Sequence, residues 1–285
     1  MQSRQVKLIN LVLLLCLAVF AFSTRSIAYY EDSLLKIYFF DVGQGDAIFI
    51  QTPNDNQVLI DGGPSNQVIQ ELGRVMPFYD HSIDLLVLTH PDADHINGLI
   101  EVLKRYKVGR ILENVIELDT PAYAKWNELK QEAQITEAVF GQEIVLDDDI
   151  ILRVLYPVDS SVQQSKTNNN SIVAKLVYGE VSLLLTGDVE TKVERELVAR
   201  KIDIDSDLLK VPHHGSKTST TEKFIEAVTP EAAFIQVGSD NRYGHPHPTV
   251  LERLQDYGIR YYRTDINGTI ELLLDGQNYQ IELGE

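Results

Sequence analysis

Thr89-His90-Pro91-Asp92-Ala93-Asp94-His95-Ile96-Asn97-Gly98, THPDADHING, is the stretch whose reading decides the fold. It follows Asp84-Leu85-Leu86-Val87-Leu88 and leads into Leu99-Ile100-Glu101-Val102-Leu103-Lys104, whose apolar residues recur at helical spacing. An apolar run, a Pro-containing polar turn and a helical pattern predict a buried strand that delivers a loop to a helix N-terminus. Such loops are where α/β folds carry chemistry. Within this one, His90, Asp92, Asp94 and His95 can each donate a lone pair to a cation, and an irregular loop can turn all four toward one volume. An Asp-rich helix start would also answer the positive end of the helix dipole, but it leaves two imidazoles unexplained.

The chain has seven histidines: His81, His90, His95, His213, His214, His245 and His247. All but His81 fall in three tight groups, each after an apolar run and beside Gly or Pro, and this predicts convergence of three strand ends on one site. Further motifs are Phe40-Asp41-Val42-Gly43-Gln44-Gly45-Asp46, Leu184-Leu185-Thr186-Gly187-Asp188, Val211-Pro212-His213-His214-Gly215-Ser216 and Arg242-Tyr243-Gly244-His245-Pro246-His247-Pro248. Together with His-x-Asp-x-Asp-His these resemble the metallo-β-lactamase-fold hydrolases, and among them the branch related to the hydrolase domain of ComEC, the competence DNA-uptake channel. The similarity runs from about Leu35 to the C-terminus, with five motifs in the family's order. It implies a single α/β domain, 35–285, built as a four-layer αβ/βα sandwich.

The 285 residues, 44% hydrophobic and 24% charged, suit a folded α/β domain and exclude a disordered chain. Arg4 and Lys7 precede an apolar run from Leu11 to Phe22, and Ser26-Ile27-Ala28 follows as a small-x-Ala site. This predicts a secretory signal peptide over 1–28, with an uncleaved membrane anchor as the alternative, since a span needs roughly 20 apolar residues. The protein is then exported, either secreted or anchored on the outer face. The one cysteine, Cys16, lies inside that leader, so the rest of the chain has no disulfide partner and no thiolate ligand. A formal net charge of −17 disfavours a stable nucleic-acid complex, but not catalysis on a phosphate held by metal ions.

In chain order, strands are expected over 36–40, 47–51 and 57–60, the last ending in Asp61-Gly62-Gly63. The glycines of Gly43-Gln44-Gly45-Asp46 suit close backbone approach rather than a phosphate loop, because no Lys-Ser/Thr follows. A helix is expected over 67–76, a strand over 110–113, and a helix over 122–131 bearing Trp126 as a packing residue. Strands 143–146 and 150–155 pair through a solvated turn at Asp147-Asp148-Asp149. Residues 157–171, polar and of low complexity, read as a loop. A hairpin over 172–177 and 181–185 ends at Asp188, and a helix over 191–201 and a strand over 207–211 lead to the His213-His214 pair. Ser219-Thr220-Thr221-Glu222 reads as a capping box. A strand over 232–237, a helix over 248–257 and strands 259–263, 269–274 and 279–283 close the sheet.

By the resemblance, His90 and Asp92 bind one metal, Asp94 and His95 the other, Asp188 bridges them, and His213 or His214 completes the second sphere. The same pattern makes Asp61 a residue that orients a ligand histidine from behind. Asp92 stands where many relatives have His, and Asn168-Asn169-Asn170-Ser171 stands where they have another His. The first site is therefore rich in oxygen, which moves the preference of the two divalent ions from Zn toward Mn, with Zn still admissible. The implied function is a metal-dependent hydrolase, a phosphodiesterase or nuclease in which two ions activate a shared water, Asp94 also holding it by hydrogen bond. Lys217, His245 and His247 are the candidates to contact the phosphate or protonate the leaving oxygen, and for His247 capping of a helix is an equal reading. The substrate is then a phosphodiester, with DNA a candidate. Two alternatives remain: a hydrolase of a small or cell-wall phosphoester such as phosphorylcholine, and a non-catalytic metal-binding protein on the same fold.

Overall fold

Alternation in Leu35-Lys36-Ile37-Tyr38-Phe39 sends successive side chains to opposite faces, as a strand buried on both sides requires. Leu35, Ile37 and Phe39 enter one apolar core, and Tyr38 enters another with Phe40 and Phe49. The computed structural model describes residues 33–159 and 163–284, so the leader read at 1–28 lies outside the described residues.

The first half comprises β1 (Leu35–Phe39), β2 (Ile48–Gln51), β3 (Gln57–Ile60), α1 (Gln67–Val75), β4 (Ser82–Leu88), α2 (Ala93–Leu103), β5 (Lys107–Glu113), α3 (Pro121–Leu129) and β6 (Gln134–Glu137). The second comprises β7 (Glu143–Asp147), β8 (Ile150–Tyr156), β9 (Val173–Tyr178), β10 (Val181–Leu185), α4 (Thr191–Ala199), β11 (Leu208–Lys210), α5 (Glu222–Val228), β12 (Ala232–Ile235), α6 (Pro248–Asp256), β13 (Arg260–Arg263), α7 (Thr264–Asn267), β14 (Ile270–Leu274) and β15 (Tyr279–Leu283). One sheet has the order β15-β14-β1-β2-β3-β4-β5-β6, the other β13-β12-β11-β10-β9-β8-β7. Strands β3 to β6 run parallel, as do β10 to β13, and the remaining pairs are antiparallel.

Three cores fill this arrangement. One lies between the sheets, where the Phe39 and Phe234 rings stack 4.3 Å apart and join β1 to β12. A second packs α1, α2 and α3 on the first sheet and contains Trp126, the expected packing residue, whose indole N–H donates to Glu113. The third packs α4, α5 and α6 on the second sheet. The result is the expected αβ/βα sandwich, and the chain from Leu35 onward forms one compact unit. Among the described residues no helix is long and apolar enough to cross a membrane.

Close packing at three glycines fixes where the chemistry falls. A Cβ on Gly98 would lie 1.7 Å from the Gly62 carbonyl oxygen, so the middle of α2 can rest against the turn after β3 only where it carries no side chain. A Cβ on Gly45 would meet the Asp94 carbonyl at 2.2 Å, which bears out the close-approach reading of that motif.

Four expectations need correction. The last three strands do not close one sheet: β13 is the edge of the second sheet, whereas β14 and β15 complete the first. β6 had no alternation to announce it, since Gln134, Ile135 and Glu137 are exposed on an edge. Residues 157–171 are not plain loop, because Thr167–Asn170 forms a 3₁₀ turn in which Asn169 and Asn170 are buried. Nor is Ser219 a capping-box residue: Thr221 is the N-cap of α5 without a side-chain bond, and Ser219 Oγ instead donates to Pro212 and Ser216 carbonyls.

Candidate metal centre

β3 and β4 run parallel in one sheet, as do β10, β11 and β12 in the other, and the loops leaving their C-terminal ends supply Asp61, His90 to His95, Asp188, His213 with His214, and His245. β4 carries His90 to the sheet end, and α2 begins immediately, with Asp92 as its N-cap. The Asp92 side chain makes no capping bond, and its Oδ2 lies 3.7 Å from His90 Nε2. One helical turn sets Asp94 and His95 on the face that looks toward the second sheet's loops. His95 Nε2 comes within 3.4 Å of Asp188 Oδ2, and His214 Nε2 within 3.2 Å of that oxygen and 3.4 Å of Asp94 Oδ2. The His90 and His95 rings are 4.1 Å apart. Ligand atoms of Asp94, His95, Asp188 and His214 all lie within 4.8 Å of one another, a set able to hold a cation.

Behind these groups a second layer fixes which nitrogen faces inward. Asp61, in a left-handed conformation at φ 57°, accepts from Thr89 N and Oγ1 and bonds His95 Nδ1 at 2.8 Å. His214 Nδ1 donates to the Gln236 carbonyl at 2.9 Å, and Gln236 itself donates to the Phe40 and Ala47 carbonyls. Both imidazoles therefore turn Nε2 toward carboxylate oxygens, an arrangement that a lone pair would make repulsive without a proton or a cation between them. Accordingly the Nε2 atoms of His90, His95 and His214 and Oδ1 of Asp188 are buried without hydrogen-bond partners. Orphaned buried polar atoms are costly, and four facing one volume are what a divalent cation would satisfy.

The charges follow from this crowding. Burial alone would push His95 and His214 down, but Asp188 with Asp61 raises the one, and Asp188 with Asp46 the other, well above the ordinary histidine value. Burial would raise Asp188, yet His214 and His95 hold it well below the usual carboxylate range. Asp94 is also lowered, its burial outweighed by the adjacent His214 and His95 imidazoles. His90, buried and beside His95, is pushed down to about 3.

Two buried charged residues were absent from the expected ligand set. Lys210, 1% exposed, pairs with Asp46 and stands 3.8 Å from Asp188 Oδ1, and Asp46 Oδ1 lies 3.2 Å from His214 Nδ1. A lysine inside the apolar run Leu208-Leu209-Lys210-Val211 was the available signal. Asp46 lies within a quoted motif, but nothing in its spacing disclosed its partner.

The histidine doublet divides cleanly. His214 joins the ligand atoms, whereas His213 is turned to Asn168 Nδ2, 3.0 Å from its Nε2, and to Thr218 Oγ1. Of the two alternatives, the structure groups His214 with Asp94, His95 and Asp188, and sets His213 beside them. Both adopt left-handed backbone, φ 52°, a strain typical of functional turns. His245 is half-buried, its ring 5.5 Å from His213 and 6.4 Å from His214, and burial with those two neighbours pushes it down to about 4. Lys217 is exposed on the same turn as His214 and forms no ion pair among the described residues. His247 caps α6, its Nδ1 accepting from Thr249 N, so the capping reading holds for it.

A family model described as the metallo-β-lactamase superfamily matches residues 40–238. The ComE operon protein 3 of Bacillus subtilis is 36% identical over 249 residues, 81% of this chain and 32% of that protein. Recombination protein 2 of Haemophilus influenzae is 31% identical over 266 residues, 92% of this chain and 31% of that protein. The chain thus spans about a third of the length of these curated relatives. Among solved structures, CmlA, a diiron β-hydroxylase from Streptomyces venezuelae, superposes with a TM-score of 0.53 at 14% identity, covering 84% of this chain and 54% of that one, a likeness of fold. With the sandwich, the strand-end cluster and the motif order all in agreement, the chain belongs to the metallo-β-lactamase superfamily, as a metal-binding hydrolase related to its competence-protein branch.

Proposed function

We propose that this centre holds two divalent cations and hydrolyses phosphodiesters, with nucleic acid as substrate. The observation that carries the reading is the set of partnerless buried atoms, three imidazole Nε2 and Asp188 Oδ1, set among carboxylates. Asp94, His95, Asp188 and His214 would hold one ion, and His90, Asp92 and Asp188 the other. Two such ions supply a nucleophile at neutral pH and neutralise charge on a phosphoryl group in flight. The oxygen-rich set around His90 and Asp92 favours Mn over Zn.

The chain's own residues do the rest. Asp94, whose side chain is 31% exposed, is placed to accept a hydrogen bond from the attacking water and align it. His245, neutral at neutral pH, donates one N–H to a phosphoryl or leaving-group oxygen, and Lys217 offers a mobile cation at the rim. Asp61 and Gln236 keep the inward nitrogens aimed. Relatives named for competence and recombination support nucleic acid as substrate, and the basic, apolar leader supports action outside the cytoplasmic membrane.

The test uses the full chain, stripped of metal and reloaded with Mn²⁺ or Zn²⁺. Hydrolysis of bis-(p-nitrophenyl) phosphate and of single-stranded DNA is followed, with Asp94→Ala and His214→Ala as controls. Metal-dependent cleavage of both, reduced at least about 10²-fold in either variant, is expected. Calorimetric metal binding with no cleavage of either substrate would refute the reading. The net charge of −17 then favours a small phosphoester, for which p-nitrophenylphosphorylcholine is the probe.

A further inference from the structure

The segment between β12 and α6, residues 238–247, is fastened to the metal centre more tightly than its exposure suggests. Asn241 bridges it from within: its Nδ2 donates to the Gly238 and His245 carbonyls, and its Oδ1 accepts from His245 N. At its far end His247 N donates to the Gly215 carbonyl at 2.8 Å, and a Cβ on Gly215 would meet Pro246 Cβ at 2.6 Å. The segment is thereby locked against the turn that carries His213 and His214.

On this braced segment Tyr243 is 56% exposed. Its ring stacks on His245 at 5.7 Å and 23°, and His245 is 6.4 Å from His214, so two ring-to-ring steps connect an open aromatic surface with the ligand cluster. The Arg242 guanidinium lies 5.2 Å from the Tyr243 centroid and donates to its hydroxyl at 3.2 Å. Single exposed aromatics are ordinary on protein surfaces. This one is held rigidly beside a catalytic cluster, stacked on a neutral imidazole and accompanied by a guanidinium, in a protein whose net charge is −17.

We infer that Tyr243, with Arg242, is the stacking platform that seats a nucleobase adjacent to the scissile phosphodiester. This rests on the phosphodiesterase reading above and names its substrate class: a single-stranded, unpaired nucleotide, whose base face lies on Tyr243 and whose flanking phosphate meets Arg242. Aromatic platforms bind unpaired bases of any sequence, because every base has a π-face, and a guanidinium adds a charge-assisted contact to phosphate. A duplex keeps its bases stacked within the helix and cannot use the platform.

Two measurements on the full chain test this. In the first, kcat/KM with Mn²⁺ is compared for thymidine 5′-(p-nitrophenyl phosphate) and methyl p-nitrophenyl phosphate, which share a leaving group and differ in the base. The wild type is expected to prefer the nucleoside ester, and Tyr243→Ala to lower that preference about tenfold through KM, with Tyr243→Phe restoring it. In the second, hydrolysis is silenced with EDTA, and anisotropy compares binding of fluorescein-labelled (dT)₅ and an abasic pentamer, each variant's near-ultraviolet circular dichroism matching wild type. Tyr243→Ala is expected to erase the preference for (dT)₅, and Arg242→Ala to shift the slope of log K against log salt upward by roughly 0.7. An unchanged base preference in Tyr243→Ala overturns the platform while leaving the phosphodiesterase reading intact. Should the wild type hydrolyse neither ester, that reading falls, and the oligonucleotide preference alone decides the platform.

Discussion

Lys210 carries an ammonium into a place where nearly every other charge is a carboxylate or an imidazole. Its partner Asp46 is 2% exposed, and Asp188 Oδ1 is 3.8 Å away, so Lys210→Met takes from the buried Asp46 carboxylate the ammonium it pairs with. Breaking such a pair costs about 3–5 kcal/mol. A urea titration of the metal-free protein should show a lower midpoint at unchanged slope, and an unmoved midpoint would contradict this account. The imidazoles yield a second expectation. Burial opposes charge on His95 and His214, but the adjoining carboxylates raise both above their ordinary value, so at neutral pH each holds a proton that an incoming cation must displace. Affinity for Mn²⁺ therefore rises with pH, about tenfold per unit for each proton released, and levels off once pH exceeds both raised values. Calorimetry in buffers of differing ionisation enthalpy counts those protons, and a count of zero at pH 7 would sink the assignment. At this scale the sequence was informative where residue type is itself the evidence, as with His90, Asp92, Asp94, His95 and Asp188. It could not separate His213 from His214, because two successive left-handed residues decide which ring turns inward.

Glu194, in α4, shows how one element prepares another. Fully buried, it accepts from Thr220 N and from Thr221 N at 2.9 Å, the donors at the mouth of α5, and burial raises its carboxyl above the usual range. The expected capping box assigned this work to a side chain within Ser219-Thr220-Thr221-Glu222. The structure assigns it to a residue 26 positions upstream of Thr220, which no local pattern encodes. Glu194→Ala takes the acceptor from the buried Thr220 N–H, at about 1–3 kcal/mol, and from the part-buried Thr221 N–H. Thermal unfolding should begin lower, and amide exchange should accelerate over 216–228 before it does elsewhere; uniform exchange across the chain would contradict a local cap. Helices and hairpins were legible from periodicity and turn residues. The placement of β13 apart from β14 was not, because sheet partners such as Phe234 with Tyr262, or Leu35 with Leu274, are chosen by long-range packing.

For the molecule as a whole, a net charge of −17 sets an electrostatic background hostile to polyanions. Most nucleic-acid enzymes lose affinity steeply as salt rises, because basic residues release counterions. Here screening relieves repulsion, so kcat/KM on a single-stranded oligonucleotide should stay level or rise between about 50 and 200 mM salt. A fall of 10³-fold over that range would mean a basic track exists that the composition conceals. The two sheets also meet in the centre: Asp94 and His95 come from the first, Asp188 and His214 from the second. An ion bound there contributes to the folded state of both, about 2.7 kcal/mol when its concentration is 100 times Kd. Metal supply is thus converted into protein lifetime. Where the ion is scarce, partnerless imidazoles and crowded carboxylates raise the fraction of open chains, proteases remove them, and the amount of protein surviving in its compartment becomes a record of how much metal was there.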